Sequence, residues 1–209
     1  MAHIPDGVLS VPVLAGGAVI AAAGLAVALP RLDERSIPRA GIFAAGFFAL
    51  SLIAVPLGPS SVHLLLAGLM GLVIGVLTVP AVLIALLLQA LLFGFGGLTT
   101  LGINTASIAV PGVLLGLAFA PLVRRADAPH AGLLAATCAA LSVALTGAAV
   151  ALSLALSSSQ FVPSAKIVLV TYGPLMAIEA LITGFAVSFL KRVRPELLSG
   201  AGRVVVGSE

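Results

Sequence analysis

The chain of 209 residues has no Trp, one Tyr and one Cys, and only 8% of it is charged. An average soluble domain carries about 25% charged residues. A soluble fold is therefore excluded, because its surface would be left apolar. A single cysteine, Cys138, excludes an intrachain disulfide; inside an apolar run it reads as a small buried hydrophobe. The net charge of +3 comes from basic residues scattered in short clusters, which is not a nucleic-acid footprint. No positive segment precedes the first apolar run, so no cleavable signal is expected. What the chain has is apolar residues, 61% of the total, and a mean hydropathy of +1.28. This is the composition of an integral membrane protein embedded in a lipid bilayer.

A spanning helix needs about 20 mostly apolar residues, and fewer inside a bundle. On this basis seven spans are expected: Val11 to Leu29, Gly41 to Val55, His63 to about Leu77, Pro80 to near Gly94, about Ala106 to Val123, Ala131 to Leu156, and Ile167 to Leu190. Thr78-Val79-Pro80 marks the break between the third and fourth. Phe95 to Thr105 is rich in Gly and Thr and reads as a loop, as does Ser157 to Ala165. The chain divides into a tail (residues 1–10), a membrane domain (residues 11–194) and a loose carboxyl-terminal tail (residues 195–209). A single kinked span from His63 to Gly94 would give six helices instead. Charge favours seven with the amino terminus outside, since basic residues prefer cytoplasmic loops. Arg31, Arg35, Arg39, Arg124, Arg125, Lys191, Arg192, Arg194 and Arg203 then all lie inside, as does the carboxyl terminus, and Lys166 lies outside. Stripes of small residues, Ala67/Gly71/Gly75 and Gly112/Gly116/Ala120, are expected to pack helix on helix.

That topology puts His3, His63 and the 95–105 loop on one side and His130 on the other. The tail, Met1-Ala2-His3-Ile4-Pro5-Asp6-Gly7, sets a histidine beside the amino terminus. In an Xaa-His unit the amine and the His amide nitrogen close a five-membered ring on a metal. The amide and the imidazole Nδ1 close a six-membered ring. The fourth corner of the square plane is left for His63. Square-planar nitrogen coordination suits late divalent ions such as Ni(II) and Cu(II), which can displace the amide proton. Small second residues usually permit removal of the initiator Met. The expected ligands are therefore Ala2, His3 and His63, with Met1 substituting if it is retained. Pro5 has no amide proton and stiffens the turn out of the chelate; Gly7 offers a positive φ. Asn104 either caps the fifth helix or holds an imidazole. Glu179, the one carboxylate in mid-span, serves either a structural hydrogen bond or transport. Two other readings stand beside metal capture: an intramembrane metalloenzyme, for which no His-Glu-x-x-His is present, and a membrane scaffold whose histidines bind nothing.

Taken together these residues resemble the substrate-binding membrane subunit of energy-coupling factor transporters for nickel or cobalt, the CbiM/NikM family. The resemblance rests on His3-Ile4-Pro5-Asp6-Gly7, Ser61-Val62-His63-Leu64-Leu65, Leu91-Leu92-Phe93-Gly94 and Gly96-Gly97-Leu98-Thr99-Thr100-Leu101-Gly102-Ile103-Asn104. It extends to Pro174, Ile178-Glu179 and Arg192-Val193-Arg194-Pro195-Glu196-Leu197-Leu198. It implies an all-α, seven-helix membrane bundle with the amino terminus tucked into its outer side. It implies Ni²⁺ or Co²⁺ as the transported substrate, with no organic cofactor. The ion would be held by the terminal amine, the tail histidine and a second histidine matching His63. Asn104, Ser61, Thr99 and Glu179 would stand behind these ligands. The implied partners are a transmembrane coupling subunit, two cytoplasmic ATPases and, in many members, a small accessory membrane protein. The setting would be a bacterial or archaeal cell membrane. The chain has no Gly-x-x-x-x-Gly-Lys-Ser/Thr loop, so it is expected to be no enzyme itself and to take its energy from those partners.

Overall fold

The computed structural model describes residues 3–53, 55–57 and 60–198. Among these residues there are seven α-helices: α1 (Val11–Ala28), α2 (Ser36–Ser51), α3 (Ala67–Ile74), α4 (Thr78–Phe93), α5 (Leu101–Arg125), α6 (Ala128–Ser157) and α7 (Val162–Val193). A short antiparallel hairpin pairs β1 (Val55–Leu57) with β2 (Ser60–Val62) ahead of α3. By residue count and composition alone, five apolar helical stretches reach the length of a bilayer crossing: Val11–Arg31, Ala67–Phe93, Leu101–Arg125, Ala128–Ser157 and Ser159–Val193, the second of them folded back at Gly75. Ser36–Ser51 is a shorter apolar helix.

Several boundaries differ from those expected. The chain does not break at Thr78-Val79-Pro80. It breaks at Gly75, whose φ of 55° and ψ of −127° suit only glycine. Pro80 sits in the first turn of α4, where a missing N–H costs nothing. The expected 95–105 loop is helical from Leu101 onward, and α7 begins at Val162 rather than Ile167, with a proline in its first turn. Residues 195–198 form a 3₁₀ turn with Leu198 buried, so the start of the tail is not loose. Residues 199–209, with Arg203, lie outside the described residues.

The direction of each helix follows from its close approaches. Gly17 meets Ile103 and Gly102 meets Ala18, so α1 and α5 start at the same end. Gly24 meets Val79, at the start of α4, so α1 runs away from that end. Ser157, at the end of α6, accepts from the Ser10 N–H at 3.1 Å, and α6 therefore returns to it. Lys191, near the end of α7, donates to the Val123 and Arg124 carbonyls at 3.0 and 2.6 Å, joining α7 and α5 at the far end.

Helix α3 is the exception. Ala67 lies against Gly112, and Gly71 against Gly112 and Gly116. It therefore runs alongside the deeper half of α5, with its first turn at half height. Eight residues span about 12 Å, which is less than half of a bilayer core. Gly75 then reverses the chain, and α4 climbs back to the end where α5 begins. The expected third span is thus a half-helix whose first turn is buried in the bundle. The two small-residue stripes do face each other. A Cβ on Gly71 would sit 1.8 Å from the Gly112 carbonyl oxygen, and one on Gly116 would sit 2.1 Å from the Gly71 carbonyl carbon. Such contact is possible only between backbones.

Candidate metal centre

The tail folds back over the end of the bundle where α5 begins. Gly7 turns it with a φ of +81°, as the sequence suggests. Ile4 and Leu9 are buried against Ile103, Val150, Ala151, Leu154 and Ala165. Polar contacts fix the register. Asn104 brackets the backbone of Ile4: its Oδ1 accepts the Ile4 N–H at 3.1 Å and its Nδ2 donates to the Ile4 carbonyl at 3.0 Å. Thr100 Oγ1 donates to the same carbonyl at 2.8 Å. The Asp6 carboxylate accepts from the backbone N–H groups of Leu98, Thr99 and Thr100 at 3.2, 3.0 and 3.2 Å, and from Thr99 Oγ1 at 2.5 Å. It thus occupies the anion-binding start of α5. Gly97 lets it in, since a Cβ there would meet Asp6 Oδ1 at 1.9 Å. The Thr99 hydroxyl, with the backbone N–H groups, holds Asp6 below the usual carboxylate range.

This docking brings His3 against His63. Both are buried, at 5% and 6% exposure. Their Nε2 atoms lie 3.0 Å apart, with ring centroids at 4.6 Å. Phe47 stands perpendicular to the His63 ring, with ring centroids 6.3 Å apart. The tautomers follow from the partners. His63 Nδ1 lies 3.0 Å from the Leu64 carbonyl oxygen, which can only accept, so Nδ1 carries the proton. A neutral His63 then offers a lone pair on Nε2, and His3 donates Nε2–H to it. His3 Nδ1 is left with a lone pair and, being buried, has no partner. Burial, and secondarily the His63 charge, pushes the His3 imidazole down to about 3; burial also lowers His63. Both rings are therefore neutral near pH 7, which is the ligating form.

His63 is presented by the strap that leads into α3. A helix start exposes N–H groups with no partner, and at half height in a membrane no water supplies one. Glu179 of α7 supplies it. Its Oε1 accepts from the Leu65 N–H, and both its oxygens accept from the Leu66 N–H, at 2.9 and 3.1 Å. Leu66 is held left-handed, with a φ of 49°. Glu179 is fully buried. Of the two roles open to it, the structural hydrogen bond is what the geometry shows.

The positions named from the sequence meet differing outcomes. His3 and His63 come together; His130 lies at the far end, exposed, with Nδ1 2.5 Å from Asp127 Oδ1. Met1 and Ala2 lie outside the described residues, and so does the side chain of Ser61. Asn104 does not cap α5, and its hydrogen bonds go to Ile4 and Thr100; it lies inside the helix and clamps Ile4. Thr99 grips Asp6, one step removed from the rings. Glu179 acts on the backbone that follows His63. Sequence reasoning missed Asp6 and Thr100 as docking groups, and it missed Gln89. Gln89 is fully buried near the end of α4, with its carboxamide next to the His3 ring. A lone amide in the apolar run 81–93 was the available signal. Among the described residues no third His, Cys, Asp or Glu joins the pair.

Residues 3–197 match the family model described as "Cobalt uptake substrate-specific transmembrane region", CbiM. The chain is 36% identical to a "Putative metal transport protein" of Haemophilus influenzae, over 94% of this chain and 97% of that one. It is 34% identical to "Cobalt transport protein CbiM" of Sorangium cellulosum, with 94% of each covered. It is 27% identical to a "Putative fused nickel transport protein NikMN" of Archaeoglobus fulgidus, over 94% of this chain and 68% of that one. In fold it is similar to a solved structure described as a transition metal transporter. The TM-score is 0.77 at 24% identity, over 91% of this chain and 93% of that one. The chain belongs to the CbiM family of cobalt-uptake, substrate-specific transmembrane proteins.

Proposed function

We propose that this chain is the ion-capturing membrane subunit of an ATP-driven importer of the energy-coupling factor type, with Ni²⁺ or Co²⁺ as its substrate. The observation that carries this reading is the buried, neutral His3–His63 pair with Nε2 atoms 3.0 Å apart. Two imidazoles alone make a weak site. The amide nitrogen of His3 and the amine of Ala2, freed by removal of Met1, would raise the set to four nitrogens in a plane. The His3 lone pair that this chelate uses, on Nδ1, is the one without a partner. Family membership and the names of the relatives support the choice of ion. Planarity favours low-spin Ni²⁺ without excluding Co²⁺.

In this reading the seven helices all cross or enter the membrane, with the tail outside and the carboxyl terminus in the cytoplasm. The described basic clusters support it: Arg31, Arg124, Arg125 and Lys191 gather at the end of the bundle opposite His3. The tail is both ligand and lid, since the contacts that bury Ile4 also seat His3. A transmembrane coupling subunit and two cytoplasmic ATPases, with or without a small accessory membrane protein, would supply the energy. Their motion would loosen the tail or the α3 strap and break the chelate, releasing the ion inward.

The test is titration of the purified full-length chain in detergent with Ni²⁺ and with Co²⁺, beside mass analysis of its amino terminus. One ion per chain is expected, lost in both His3→Ala and His63→Ala. Stoichiometric binding that survives both substitutions overturns the proposal. So does a retained Met1 together with tight binding that ignores His63.

A further inference from the structure

Gln89 is 0% exposed, and one half of its carboxamide is accounted for while the other is not. The Ser51 hydroxyl donates its single proton to the Phe48 carbonyl at 2.7 Å. Toward Gln89, 2.6 Å away, Ser51 can therefore only accept. This fixes the amide: Nε2 faces Ser51 and Oε1 faces away. Oε1 is buried and completes no hydrogen bond. The backbone holds it in place, because α4 ends one turn after it. Phe95 N–H closes back on the Gln89 carbonyl at 3.3 Å, with Gly94 left-handed at a φ of +66°.

A second unpartnered acceptor belongs to the His3 ring, next to which the Gln89 carboxamide lies. With His3 donating Nε2–H to His63, the lone pair on His3 Nδ1 has no donor. The site thus buries two acceptors, Gln89 Oε1 and His3 Nδ1, and has one N–H to share among them and His63. A buried polar group left without a partner destabilises the site. An ion on Nδ1 removes the first deficit. It also frees Nε2–H, because the lone pair of His63 Nε2 then goes to the ion. A histidine ligand characteristically gives its remaining N–H to a fixed acceptor, which orients the ring and raises its basicity.

We infer that Gln89 Oε1 is that acceptor: when the ion binds, the His3 ring turns about Cβ–Cγ, Nδ1 faces the ion, and Nε2–H passes from His63 to Gln89. Gln89 is then a positioning residue, itself set by Ser51 and not a ligand. This inference rests on the capture site proposed above and deepens it.

The experiment uses the full-length chain in detergent titrated with Ni²⁺, read by calorimetry and by the visible ligand-field band of the bound ion. Gln89→Leu is expected to keep one ion per chain, to lose about 10–100-fold in affinity, and to move the band to longer wavelength as His3 becomes a weaker donor. Gln89→Glu keeps an acceptor oxygen at the same place and is expected to restore both the affinity and the band position. A residue that merely packs would weaken binding without moving the band, and Glu would not rescue it. Unchanged affinity and band in Gln89→Leu, with His3→Ala still abolishing binding, overturns the role of Gln89 and leaves the capture site standing. Binding that survives His3→Ala overturns both. Should Gln89→Leu fail to fold, Ser51→Ala tests the same arrangement: release of the carboxamide is expected to weaken binding and broaden the band, and no change in either overturns the inference.

Discussion

Replacing Glu179 tests the structure where it departs most from a simple bundle. In Glu179→Leu the N–H groups of Leu65 and Leu66 lose their acceptor at half height in the bundle. Each buried, unpaired N–H costs about 1–3 kcal/mol, giving about 2–6 kcal/mol for the pair. Glu179→Gln keeps one acceptor oxygen and should cost about 1 kcal/mol. For a chain of this size about 2–4 °C of melting temperature accompanies each kcal/mol. The leucine variant should therefore melt roughly 5–20 °C below the native chain, with glutamine in between. The chain carries its own reporter, since Cys138 is its single cysteine and is fully buried. Labelling by a thiol-reactive dye during a thermal ramp reads unfolding without tryptophan. The strap should also relax. Leu66 holds a left-handed conformation that costs about 1–2 kcal/mol, and once released it would carry His63 away from His3. Ni²⁺ affinity should fall in the same order, leucine below glutamine below native. A leucine variant that melts within about one degree of the native chain and binds Ni²⁺ equally well would refute the account of Glu179 as the cap of α3.

Two further outcomes follow from the geometry. Gly71→Val puts a side chain where the Gly112 carbonyl oxygen lies 1.8 Å from the first carbon; α3 and α5 must separate, and the variant should melt well below the native chain in the same dye assay, whereas Gly41→Val, with open space around it, should not. Acidification should undock the tail: the buried His3 ring sits near 3 rather than at its ordinary 6.5, so the docked form favours the neutral ring. That stability is full above 6.5 and falls by about 1.4 kcal/mol per pH unit below it. The Asp6 contribution, its carboxylate being held low, is lost only below the ordinary carboxylate range. Hydrogen exchange at the Ile4 N–H, corrected for intrinsic pH effects, should therefore accelerate between pH 6.5 and 4.5, and unchanged protection across that range would contradict the burial of a neutral His3.

The helices that cross the bundle are legible in the sequence because each is a local apolar run closed by its own punctuation. Pro12 opens α1, Asp127 and Pro129 open α6, and Gly94 stops α4. The His3/His63 pairing is legible for another reason. Histidine is scarce here, and alternating crossings put those two at one end and His130 at the other. The small-residue stripes predict their own contact, since only glycine and alanine allow backbones to meet. Where the reading failed, the partner lay far along the chain. Asn104 could be read only as a helix cap or as a support for an imidazole, because a local rule sees no further; its actual partner, Ile4, is 100 residues away.

The sequence by itself determined that this protein lives in a lipid bilayer, roughly where its helices run, and that two histidines and a tail motif mark a family concerned with metal transport. Those features are written in composition and short-range order, which need no fold to be read. Only the tertiary structure decided that α3 starts at half height, that Glu179 caps it from another helix, that Asp6 locks the tail onto α5, and that Gln89 leaves an oxygen free beside His3. Each of these depends on a buried polar group finding its partner across the bundle. Where no water is at hand, the folded neighbours alone determine which partner that is.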